Sequence, residues 1–161
     1  MTKSRISKAR AAREAAIEDE ADEEVVDSSG EMVAQMRLLI EEGSSEQAIG
    51  FYEHVKDSPL LTAADVKSII VAMHQAGRQV ESIETMVDYL KRFPDDDTKM
   101  RLKLAEILIT HDDRPMQAMA VLDKIDDSRL NTKLAAYKKK LHAAAFKAQE
   151  DGALELDVHD W

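Results

Sequence analysis

Apolar residues recur along this chain at three- and four-residue steps, interrupted by glycine, proline and short acidic runs. Val33, Met36, Leu39 and Ile40 form one helical stripe that Gly43 closes. Ser28 and Glu31 have the spacing of a capping box at its start. Ser44 and Gln47 repeat that spacing ahead of Ala48, Ile49, Tyr52 and Val55, which predicts a second helix through about Lys56. After Pro59, Thr62 and Asp65 are placed to cap a helix bearing Val66, Ile69, Ile70 and Met73. Gly77, free to take positive φ, ends it. Val80, Ile83, Met86, Val87 and Leu90 line the next helix, which stops before Pro94. Leu104, Ile107 and Leu108 mark a fifth. The turn His111-Asp112-Asp113-Arg114 then leads to Pro115, suited to a first helical position, and to Met116, Ala118, Met119, Leu122 and Ile125. Asn131 is placed to cap a long final helix with Leu134, Tyr137, Leu141, Ala145 and Ala148, which lacks an evident partner in the pattern.

The stripes also repeat at longer range. Ala48, Ser82 and Ala118 each precede a larger apolar residue by four positions (Tyr52, Met86 and Leu122), and the steps between them are 34 and 36 residues. Gly43 and Gly77 are 34 residues apart. Such a period marks stacked helical hairpins, none of which buries its apolar face alone.

These hairpins resemble tetratricopeptide (TPR) repeats over roughly residues 31–126, with a capping helix to about 150. Ile69-Ile70 with Met73, and Leu104-Ala105 with Leu108, match the first-helix signature. The three small-then-large pairs match the second, and Pro94 matches the closing proline. Aliphatic residues replace the aromatic first-helix signatures, and Gln35 fills a usually apolar site. The resemblance implies an all-α fold, a right-handed α-solenoid of about three hairpins plus a C-terminal capping helix. It also implies a concave groove lined by Arg37, Lys67, Val71, His74, Glu106 and Ile109. One TPR mode clamps a peptide carboxylate with Lys, Arg and Asn. This chain departs from it, since its one asparagine, Asn131, lies outside those faces.

Composition refines this picture. Of 161 residues, 44% are hydrophobic and only 4% aromatic, which suits helices packed through Leu, Ile, Met and Ala. The absence of cysteine excludes disulfides and thiolate chemistry and fits a reducing, cytoplasmic setting. No apolar run approaches the roughly 18–20 residues that span a bilayer, so no membrane insertion is expected. The net charge of −10 is carried by the ends. Residues 1–13 hold five basic groups and no acid, residues 14–27 eight acids and no base, and residues 149–161 five acids without Lys or Arg. Residues 28–148 carry 17 basic and 19 acidic groups. The expected organisation is a charged, disordered or transiently helical arm over 1–27, a repeat domain over 28–150 and an acidic tail over 151–161. An acidic total opposes nucleic-acid binding.

Little points to catalysis. No two of the five histidines stand at i and i+4, so no metal site is expected. Asp95-Asp96-Asp97 and Asp112-Asp113 fall at helix starts, where the macrodipole accounts for them. Met73, Met86, Met116 and Met119 read as core fillers. Lys138-Lys139-Lys140 reads as a solvated face or a docking patch for an acidic segment such as the chain's own tail. In the tail, Leu154, Leu156 and Val158 alternate ahead of Trp161, the only tryptophan. That segment is either an unstructured end or an extended peptide with Leu156, Val158 and Trp161 as partner anchors. The expectation is a non-enzymatic adaptor or scaffold, without cofactor, that binds a protein or peptide. The alternative is a self-associating structural subunit, a homo-oligomer.

Overall fold

The computed structural model describes residues 28–161, and the disordered or transiently helical arm expected over 1–27 lies outside the described residues. Among the described residues the regular structure is helical throughout and contains no strand. The backbone falls into two compact units that divide between Thr62 and Ala63, within the expected repeat domain.

The first unit holds α1, residues 28–41, and α2, Ser45–Val55. Val33, Met36 and Leu39 of α1 are buried, as are Ala48, Ile49, Tyr52 and Val55 of α2. Between them Gly43 takes φ +76°, and the Ser44 N–H donates to the Leu39 carbonyl at 2.9 Å. A non-glycine residue would be strained there. Ser28 is already helical and so does not cap α1, and the Ser44 hydroxyl makes no capping bond to α2. The Ser29 and Ser58 hydroxyls, 3.4 Å apart, tie the start of α1 to the loop after α2.

The second unit holds α3 (Ala63–Gln75), α4 (Ser82–Arg92), α5 (Thr98–Thr110), α6 (Pro115–Asp123) and α7 (Thr132–Glu150). Single 3₁₀ turns at Pro94–Asp96 and Asp127–Arg129 precede α5 and α7. Each helix packs on the next, and α7 lies against both α5 and α6. The final helix therefore has partners that its sequence pattern did not reveal. One core runs through the unit, with Val66 and Ile70 from α3, Met86 and Tyr89 from α4, Leu104 and Leu108 from α5, Leu122 from α6 and Leu141 and Ala145 from α7.

The turns follow local chemistry. Gly77 takes φ +75° and the Arg78 N–H closes onto the Met73 carbonyl at 2.8 Å. The turn after α5 has no glycine; Asp113 takes φ +52° instead, a conformation that aspartate tolerates better than most residues. Pro115 opens α6, and the Asn131 Oδ1 caps α7 by accepting from the Leu134 N–H at 2.8 Å. Two expected inward residues face outward: Val80 precedes α4 and is exposed, and Met116 is exposed in the first turn of α6.

Candidate functional site

Arg37 is exposed on α1 of the first unit. The other groove candidates belong to the second unit. Val71 on α3 is 53% exposed, while His74 on α3 and Glu106 and Ile109 on α5 are half-buried. Glu106 joins α5 to α7 by a hydrogen bond and acts on α3 electrostatically. The Tyr137 hydroxyl of α7 donates to its carboxylate, and His74 of α3 lies within the field of Glu106 and Lys103. Burial pushes the Tyr137 phenol well above its ordinary range, and the Glu106 carboxylate adds to the shift. His74 moves down from 6.5, chiefly through burial and then through the Lys103 charge. The Ser82 hydroxyl donates to the Gln79 carbonyl at 2.6 Å, so the His74 Nε2, 2.8 Å away, must be the N–H donor to it.

Lys67 has a different role. Its ammonium is 2.6 Å from the Asp96 carboxylate, which also accepts from the Tyr89 hydroxyl at 2.7 Å. Both hydrogen bonds hold the Asp96 carboxyl below its ordinary range, Lys67 contributing most. Asp96 of the acidic run before α5 is therefore a cross-helix tie. Asp97 precedes α5 without a side-chain cap bond, and its carboxylate takes the Arg101 Nε at 2.9 Å. Lys138 pairs with Asp127 at 2.7 Å.

The tail lies extended along α5 and α6 of its own unit. Glu155 reaches the α6 N-terminus, where its two carboxylate oxygens accept from the Met116 and Gln117 N–H groups, the latter at 3.0 Å. Arg114 donates to the Asp157 carbonyl at 2.7 Å, and Arg101 to the Trp161 main-chain oxygen at 3.0 Å. Gln117, fully buried, donates to the His159 carbonyl at 2.8 Å and accepts from the His159 N–H. Lys124 pairs with Asp160. Trp161 stacks on His159 at 5.2 Å with Arg114 over its ring. Of the expected anchors, Trp161 is half-buried against the core, whereas Leu156 and Val158 face outward, Leu156 at 92% exposure.

Sequence reasoning missed Arg101, Gln117 and Glu155. The only available signal was charge, an acidic tail on a body with basic residues. Among the described residues no cluster of His, Cys, Asp or Glu is placed to hold a metal ion, and no helix is long and apolar enough to cross a membrane. Compared with protein-family models, curated proteins and solved structures, the chain matches none.

Proposed function

We propose that this protein is a non-enzymatic, cytoplasmic adaptor built as a short, right-handed TPR-like array that binds a protein or peptide partner. The observation that carries the reading is the linkage of α3, α5 and α7 through Glu106, which accepts from the Tyr137 hydroxyl and, with Lys103, acts electrostatically on His74. In a stack of hairpins these alternate helices are the first members of successive pairs, and they line one face. Exposed Val71 and half-buried Ile109 add apolar area to polar groups already oriented by one another. A face of this kind suits an extended segment with apolar and charged positions. Cross-linked capture from the native cell tests the reading with wild-type protein and a V71S/I109S variant. Loss of the captured partner at unchanged helical circular dichroism supports it, and identical capture overturns it.

A further inference from the structure

We infer that the surface of α5 and α6 beneath residues 155–161 is a binding site for the same segment of a second copy of this chain, with the chain's own tail as resident competitor. It lies apart from the Glu106 face. Arg101 and Glu106 are five positions apart on α5, which at about 100° per residue sets them roughly 140° apart around the helix.

The surface is a built site. Gln117 is fully buried, yet its carboxamide is turned to the tail and matches a peptide edge in both directions. Arg101, itself buried, is held by Asp97 so that its Nη1 meets the Trp161 main-chain oxygen. The first N–H groups of α6 close on the Glu155 carboxylate, and Arg114 and Lys124 take Asp157 and Asp160. The surface thus reads an extended main chain plus acids at fixed positions and the Trp161 ring. Every copy carries that complement.

The connection is built to open. After α7, Gly152 takes φ +93°, a conformation with alternatives open to glycine at little cost. The main-chain bonds of residues 151–153 run only back to carbonyls at the end of α7. Leu154 is 85% exposed. Rotation near Gly152 would lift residues 155–161 as an intact segment, and seating on a second copy would restore each contact. Reciprocal exchange gives a closed two-fold pair. Leu154 and Leu156 beside the connection are exposed in the single chain, and a second copy brings the same apolar pair to cover them. That gain selects a second copy over an unrelated acidic peptide.

Complementation between full-length chains tests the inference. One chain carries a disabled tail, E155A/W161A, and the other a disabled seat, R114A/Q117A. R114A/K124A serves as a second seat variant in case loss of Gln117 disturbs α6. Circular dichroism checks that each retains its helices. Multi-angle light scattering is expected to give the single-chain mass for each variant alone, close to the 18.0 kDa of wild type, and about twice that mass for the equimolar mixture. A mixture that stays at the single-chain mass with both seat variants overturns the inference. Replacing the tail variant by wild type restores the competing tail, whose tether gives an effective concentration on the order of millimolar. At least tenfold weaker pairing is then expected, and equal pairing would overturn the role of the tail as competitor.

Discussion

The carboxamide of Gln117 is paired with the main chain of His159 in both directions, donating to its carbonyl at 2.8 Å and accepting from its N–H. A buried glutamine of α6 thereby acts as a short peptide edge for a segment 42 residues away. Gln117→Leu keeps much of the volume and removes both partners. Leaving such groups unpaired costs about 1–3 kcal/mol, and 1.4 kcal/mol is a factor of about ten in an equilibrium. The His159 amide is expected to exchange with solvent at least tenfold faster and the Trp161 emission to shift to the red, with helical content unchanged. An amide as protected as in wild type would show that the other tail contacts suffice.

Glu155 performs for α6 the task usually given to a neighbouring side chain. Arg114 stands at the N-cap position and makes no capping bond, so the Met116 and Gln117 N–H groups are satisfied from the tail. The carboxylate also lies at the positive end of the helix dipole. Removing a capping acceptor costs about 1 kcal/mol. For a unit of this size that lowers the melting temperature by about 4–8 °C. Thermal unfolding of Glu155→Ala checks this, and Glu155→Gln, which retains one acceptor oxygen, is expected to lose less.

Asp96 ties α3 to α4 through Lys67 and Tyr89, and its folded carboxyl titrates below its ordinary value of 3.8. A lowered carboxyl stabilises the fold above the unfolded value and loses that contribution as pH falls through the folded one. Wild type is therefore expected to lose stability between about pH 5 and pH 2 more steeply than Asp96→Asn. Because the carboxylate is largely exposed, the difference near neutrality is small, about 0.5 kcal/mol. Denaturant titrations of both chains across that range measure it. Parallel pH profiles would remove Asp96 from the account of acid sensitivity.

The helices are legible in the sequence because burial on one face leaves a 3.6-residue trace: Ile69, Met86, Leu104 and Leu122 fall on it. Glycine at 43 and 77, Pro115 and Asn131 mark ends through backbone chemistry that acts within a few residues. Pairings between distant positions leave no such trace. Asp96 resembles any acid at a helix start until α3 brings Lys67 beside it, and Gln117 resembles a surface glutamine until His159 arrives. The tail's alternation is visible, but its sense is not. The apolar Leu154, Leu156 and Val158 face water, while the intervening Glu155, Asp157 and His159 make the contacts, because the seat is polar and basic. The division at Thr62 is equally invisible, since the period runs through it.

His74 supplies a test on the candidate face itself. Burial lowers it from 6.5, with Lys103 adding to the shift and Glu106 opposing it, and its Nε2 donates to Ser82. A base whose folded value is lowered takes up its proton more readily in the unfolded chain. Stability is then complete above the unfolded value and declines as pH falls from 6.5 through the folded value. Replacing Lys103 with Gln removes the nearby positive charge, raises the His74 value and flattens that decline. Replacing Glu106 with Gln removes the one opposing charge and lowers the value further. Nitrogen-15 shifts of the imidazole across pH 5–8 are expected to report the Nε2–H tautomer and a titration below 6.5 in wild type, displaced in opposite directions by the two variants. Displacement in the same direction, or an Nδ1–H tautomer, would mean that Lys103 and Glu106 do not face His74 together, and the α3–α5 part of the face would fall.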